Sequence, residues 1–130
     1  MGIVVDASTV VAALIDNGPD GRWAEEQLRS DHVVAPDLLP VEVAQVLRRA
    51  ESVEAVGKDS VALAFGALRQ LPIEFASFEP LADRIWELRS NLTIHDAFYV
   101  ALAESLDAPL ATPDLRLSKA PGTTCRFVTP

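Results

Sequence analysis

Four carboxylates, Asp6, Glu42, Asp96 and Asp114, lie where they can serve one site. Asp6 directly follows the apolar run Ile3-Val4-Val5, and Asp114 follows Leu110-Ala111 after Thr112 and Pro113. Glu42 and Asp96 fall in the first turns of predicted helices. Mg²⁺ prefers octahedral oxygen coordination, and one or two carboxylates with several waters suffice to hold it, so four acids suit one or two ions. A cation held there would lower the pKa of a water nucleophile and offset charge building on a phosphodiester, making hydrolysis possible without a covalent intermediate. The chemistry implied is that of a metal-dependent nuclease.

Each acid also has a local structural explanation, because the helix macrodipole favours Asp and Glu in first turns. Thr93-Ile94-His95-Asp96 fits a capping-box pattern, and Thr112-Pro113-Asp114 reads as a cap, a first-turn proline and a dipole-friendly acid. Glu42, between Val41 and Val43, can turn to solvent from an otherwise core-facing helix. Asp6 is harder to explain this way, since it stands between an apolar strand and an apolar helix where an unpaired carboxylate is costly to bury. Ser8 and Thr112 carry hydroxyls able to orient a water or a phosphate oxygen, and both also suit helix N-caps, Ser8 for the segment Thr9 to Ile15. Arg48, Arg49, Arg89, Arg116 and Lys119 are available for phosphate contacts. His95 adjoins Asp96 but points away from it as a helical neighbour, which suits a surface or substrate-edge position. Trp23, Trp86, Phe98 and Tyr99 fit core or interface packing at helical spacing, and no base-reading role is assigned to them.

The elements that must position these groups alternate. Ile3-Val4-Val5, Val33-Val34-Ala35, Ile73-Glu74-Phe75, Pro109-Leu110-Ala111 and Arg126-Phe127-Val128 read as strands. Helices are predicted over about 9–15, 22–29, 38–49, 59–71, 80–90 and 93–106, with Asn17-Gly18-Pro19-Asp20-Gly21 as a turn. This rhythm implies a three-layer α/β/α domain around a central, mostly parallel sheet. Ligands of such sheets bind beyond the carboxyl ends of the strands, the edge on which all four acids converge.

At 130 residues the chain is expected to form one domain over 1–130, without an interior linker. A hydrophobic fraction of 49% and a charged fraction of 23% are those of a globular protein. The longest apolar runs are too short to cross a bilayer, and the N-terminus lacks the signature of a signal peptide, so a cytoplasmic, membrane-free protein is expected. Cys125, the single cysteine, has no partner for an internal disulfide. The net charge of −8 argues against broad nucleic-acid binding by counterion release and suits a basic protein partner.

Together the segments Ile3-Val4-Val5-Asp6-Ala7-Ser8, Ala35-Pro36-Asp37-Leu38-Leu39-Pro40-Val41-Glu42-Val43, Leu92-Thr93-Ile94-His95-Asp96-Ala97-Phe98-Tyr99-Val100-Ala101-Leu102-Ala103 and Ala111-Thr112-Pro113-Asp114-Leu115-Arg116-Leu117 resemble the PIN-domain ribonucleases, specifically the VapC-type toxins of toxin–antitoxin pairs. The resemblance implies Asp6, Glu42 and Asp96 as principal acids, Asp114 as a more variable fourth, and Ser8 and Thr112 as supporting hydroxyls. It further implies RNA cleavage with Mg²⁺ or Mn²⁺, commonly in a tRNA or rRNA, a homodimer, and an antitoxin that blocks the acidic site. Two other readings compete. In a phosphatase or phosphotransfer domain Asp6 would act as nucleophile, but Ser8 stands where one such pattern needs an acid, and Lys58 and Lys119 are the only lysines. A non-catalytic binding module of the same fold would have no need of all four acids.

Overall fold

The computed structural model describes residues 2–130. Five strands are present among the described residues: β1 (Gly2–Val5), β2 (His32–Pro36), β3 (Ile73–Ala76), β4 (Leu110–Ala111) and β5 (Phe127–Val128). They form one sheet in the order β3-β2-β1-β4-β5, with every pairing parallel. The helices are α1 (Ala7–Ile15), α2 (Pro19–Leu28), α3 (Leu39–Ser52), α4 (Lys58–Gln70), α5 (Ala82–Glu87), α6 (Ile94–Leu106) and α7 (Leu115–Ser118). The helices α1 to α4 pack among themselves, while α5 packs on α6 and α6 lies against β1, β2 and β4. This is the expected three-layer α/β/α architecture.

The central strand is β1, whose Val4 and Val5 are completely buried, as are Leu110 and Ala111 of β4. Continuous apolar strands of this kind are what a sheet covered on both faces requires. In α6 every residue from Ala97 to Ala103 is buried, so the helix is apolar all round and only its ends reach solvent. Helix α2 starts against the end of α1, and Gly21 permits the approach: a Cβ there would lie 1.8 Å from the Asp16 carbonyl oxygen.

The structure modifies the expectation in three places. Pro19-Asp20-Gly21, read as part of a turn, is the first turn of α2, where a proline at the first helical position costs no hydrogen bond. The segment 80–90 is not one helix: a 3₁₀ turn at Glu79–Leu81 and another at Leu88–Ser90 flank the short α5. The tighter winding brings residues three apart into line, and Ile85 and Leu88 are both buried. The cap of α1 is Asp6 and not Ser8, so the helix begins two residues earlier than the apolar pattern implied.

The strand order places β1 and β4 side by side, with later strands running outward from β4 and earlier ones from β1. That reversal of direction opens a crevice at the carboxyl ends of β1 and β4. Val5 pairs with Ala111, so the next residue of each strand, Asp6 and Thr112, emerges at the crevice.

Candidate active site at the β1–β4 crevice

Asp6 is 6% exposed and has extended backbone geometry, ideal for a cap. Its Oδ1 accepts from the Thr9 backbone N–H at 2.8 Å and from the Thr9 hydroxyl at 2.9 Å. The same hydroxyl donates to the Ala111 carbonyl at 2.8 Å, tying the start of α1 to the end of β4. A hydroxyl has one proton, so these two contacts share it. Burial pushes the Asp6 carboxyl above the ordinary carboxylate range, and the neighbouring Asp96 charge adds to the rise. The Thr112 hydroxyl and the two Thr9 donors oppose it by favouring the ionised form.

Glu42 sits in the first turn of α3, which begins with Leu39-Pro40, a proline position that costs no helical hydrogen bond. Its Oε1 accepts from the Tyr99 hydroxyl at 2.7 Å. Tyr99 is 3% exposed, and burial together with the Glu42 contact drives its phenol far above the usual range. The phenol therefore stays protonated and donates. Asp96 is half-buried in the first turn of α6, where the Thr93 hydroxyl accepts from the Asp96 N–H at 3.2 Å. Burial raises its carboxyl, with the Asp114 charge adding, while Thr93, His95 and Arg116 pull it down.

Asp114 caps α7, its Oδ1 accepting from the N–H groups of Arg116 at 2.9 Å and Leu117 at 3.3 Å. Thr112, fully buried, does not cap that helix as its sequence position suggested; its hydroxyl accepts from the Asp114 N–H at 3.0 Å. Four helix N-termini thus each carry one acid toward the carboxyl end of the sheet, and the positive end of each helix dipole helps hold its carboxylate.

The acids are neighbours without forming a closed cage. Asp6 and Asp96 interact electrostatically, as do Asp96 and Asp114, while Glu42 is linked to the set through Tyr99, which feels both Glu42 and Asp6. Among the described residues, no three Asp, Glu, His or Cys side chains are drawn together tightly enough to hold a metal ion. An open wall of like-charged oxygens suits a hydrated divalent cation that keeps several waters, as Mg²⁺ does. Asp96 and Asp114 also line a cleft of about 240 Å³ with Arg116. Ser8, Glu42 and His95 line a larger groove of about 800 Å³ between α1 and α3.

Of the arginines proposed for phosphate contact, Arg116 alone lines a cleft shared with the acids, its side chain 96% exposed and its Nε 3.8 Å from Asp114 Oδ1. Arg48 bonds to Gln45, and Arg49 is exposed near the far end of α3. Arg89 stacks 4.5 Å over the Trp86 ring. Thr9 and Tyr99 hold site carboxylates and were not singled out for that role from sequence. The signal for Thr9 was its place three residues after an Asp cap, and for Tyr99 its place three residues after Asp96 on one helix face. Burial pushes the Cys125 thiol up to about 11, in keeping with an unreactive side chain.

The sequence matches the PIN domain family over residues 3–122. The chain belongs to the PIN domain family. This PIN domain is 41% identical over 125 residues to ribonuclease VapC1 of Mycobacterium tuberculosis, a match covering 95% of the chain and 94% of the relative. It is 40% identical over 116 residues to ribonuclease VapC9 of the same species, covering 89% and 88%. Among solved structures, the PIN domain superposes on Mycobacterium tuberculosis VapC20, described as a sarcin-ricin loop cleaving toxin, with a TM-score of 0.71 at 18% identity, covering 98% and 99% of the two chains. It superposes on a chain of VapBC2 from Rickettsia felis, solved on a promoter DNA fragment, with a TM-score of 0.69 at 12% identity and 98% coverage of each. No described helix is long and apolar enough to cross a membrane.

Proposed function

We propose that this PIN domain is a Mg²⁺-dependent endoribonuclease, with Mn²⁺ able to substitute, acting as the toxin of a toxin–antitoxin pair. The observation that carries the reading is the buried Asp6, the cap of α1, at the β1–β4 crevice beside Asp96, in a chain similar along nearly its whole length to proteins named ribonuclease VapC. The entire chain, 1–130, acts as a single catalytic domain in this reading.

Asp6, Glu42, Asp96 and Asp114 would hold the ion. When bound, it supplies Lewis-acid charge that lowers the pKa of a water and stabilises the phosphorane-like transition state. Thr9 and the Thr112 hydroxyl orient Asp6, and Tyr99 fixes one oxygen of Glu42. Ser8, exposed at the start of α1, offers a hydroxyl to a phosphate oxygen, and Arg116 offers a guanidinium. Water attacks phosphorus and gives up one proton to solvent, the bond to the leaving ribose oxygen breaks, and that oxygen takes a proton from solvent, so one water is consumed for each bond cleaved.

The substrate is a structured RNA, tRNA or rRNA, and the working form is a cytoplasmic homodimer inhibited by a cognate antitoxin. The charge of −8 supports a basic inhibitor segment over the acidic site. Purified protein is expected to cleave structured RNA only with Mg²⁺ or Mn²⁺, and Asp6→Asn to abolish cleavage. Unchanged cleavage by Asp6→Asn would overturn the site assignment. Expression is expected to arrest growth until a small neighbouring-gene protein is co-expressed, and equal harmlessness of wild type and Asp6→Asn would overturn the toxin reading.

A further inference from the structure

The groove between α1 and α3 is larger than a water site needs and differs in chemistry from the acidic crevice it adjoins. Val11, Ala12, Ile15 and Val46 give it aliphatic walls, and its inner end is formed by Ser8 and Glu42. Among the described residues lining it there is no Lys or Arg, and its charged members are Asp16 and Glu42. A phosphate entering it beyond Ser8 would meet the neutral donors of Asn17 and Gln45 and the ring of His95 but no Lys or Arg, and would face the carboxylates of Asp16 and Glu42. A neutral, flat group with polar edges meets no such penalty, and apolar walls favour its faces. The cation available to a phosphate, Arg116, lines not this groove but the smaller cleft with Asp96 and Asp114.

Gln45 on α3 lines the groove with its orientation settled: Arg48 Nε donates to Gln45 Oε1 at 3.1 Å. A guanidinium has only donors, so the oxygen must face Arg48, which leaves the Gln45 amide NH₂ as the free group. That group donates and cannot accept.

We propose that this groove is a base-reading slot of the ribonuclease, in which one nucleotide flanking the scissile phosphate is unstacked between Val11, Ile15 and Val46 and read by Gln45 through a carbonyl oxygen of the base. The inference rests on the ribonuclease reading given above and adds a specificity-determining residue to it. Single-stranded bases are splayed out and hydrogen-bonded on their edges in this manner in sequence-specific RNA recognition. Uracil and guanine present carbonyl oxygens where adenine presents an amine, so the slot selects the former.

The test uses purified full-length wild type, Gln45→Glu and Val46→Trp on short RNAs that differ at one flanking nucleotide, including an abasic version, with Asp6→Asn as the blank. Gln45 and Val46 are exposed, and thermal melts verify folding. Wild type is expected to cleave uracil or guanine substrates about tenfold faster in kcat/KM than adenine or abasic ones, the worth of one well-made hydrogen bond. Gln45→Glu, which presents only acceptors, is expected to lose or invert that ratio. Val46→Trp fills the slot and is expected to remove the difference between base-bearing and abasic substrates. Identical ratios in all three proteins would overturn the slot while leaving the ribonuclease reading intact. Changes confined to inhibition by the antitoxin would also overturn it, marking the groove as a peptide seat. No cleavage of any RNA by wild type would overturn both.

Discussion

The contact between Tyr99 and Glu42 gives the sharpest quantitative expectation. Tyr99→Phe keeps the buried ring and removes only the hydroxyl that donates to Glu42 Oε1 at 2.7 Å. A hydrogen bond to a charged group is worth about 1.5–3 kcal/mol, but Glu42 is half-exposed and water can replace the lost donor. The folding cost is therefore placed at about 1 kcal/mol, a melting shift of roughly 3–5 °C for a domain of this size. In the proposed reading, with Glu42 as a ligand, the larger effect falls on the cation, because partners that orient a ligating carboxylate typically contribute about 10–100-fold in metal affinity or activity. The lower end applies here, since one Glu42 oxygen remains as before. Cleavage of a fixed oligoribonucleotide, titrated with Mg²⁺, is expected to show half-saturation raised about tenfold with kcat largely recovered at high Mg²⁺. An unchanged half-saturation would refute the assignment of Tyr99 as the residue that positions Glu42. A kcat loss that Mg²⁺ cannot recover would refute its action through the ion.

Two further expectations concern stability. Burial raises the folded-state carboxyl of Asp6, so holding it ionised weakens the fold at pH values above the ordinary carboxylate range. Asp6→Asn, still a good N-cap, is therefore expected to melt higher than wild type at pH 7 in EDTA, with the gain vanishing as the pH falls below about 4; a lower melting temperature at pH 7 would contradict this. Glu104 has the opposite sign: burial disfavours its charge, but Arg84, bonded to it at 2.7 and 3.1 Å, and Thr124 outweigh burial and lower its pKa. That contribution is present above the ordinary value of 4.5 and is lost as the pH falls through the depressed folded value. Glu104→Gln is expected to cost about 1 kcal/mol at pH 7, discounted for the partial exposure of Arg84, and a denaturation series showing an equal cost at pH 3 would refute it.

The apolar runs at 3–5, 33–35 and 110–111 made the strands legible because buried parallel strands have little freedom in composition. The carboxyl edge followed from the order of elements. What one chain of letters conceals is which side chain meets which across long separations. Tyr99 and Glu42 are 57 positions apart, and the one local hint, the place of Tyr99 three residues after Asp96, does not say which acid its hydroxyl holds. In this structure it is both. Asp6 shows the same overlap from the other direction: it seemed to lack a structural reason, yet it caps α1 while facing the crevice. Capping and site membership are therefore compatible at one carboxylate, and the local explanations for Asp96 and Asp114 do not compete with their place in the crevice. The 3₁₀ turns beside α5 are not legible in the sequence because the three-residue spacing of Ile85 and Leu88 fits either winding.

The pairing of β1 with β4 also bears on how such a chain is made. β1 ends at Val5, but its neighbour β4 begins at Leu110, so the first wall of the crevice is synthesised well before the second. Until that strand emerges and docks, Asp6 has no Thr112 beside it, Thr9 has no Ala111 carbonyl to bond, and Asp114 does not yet exist as a cap. A chain that has not reached this strand thus holds Asp6, Glu42 and Asp96 without the crevice. The crevice therefore assembles only after the fourth strand has joined the sheet, and any ligand that needs both of its walls meets none before then.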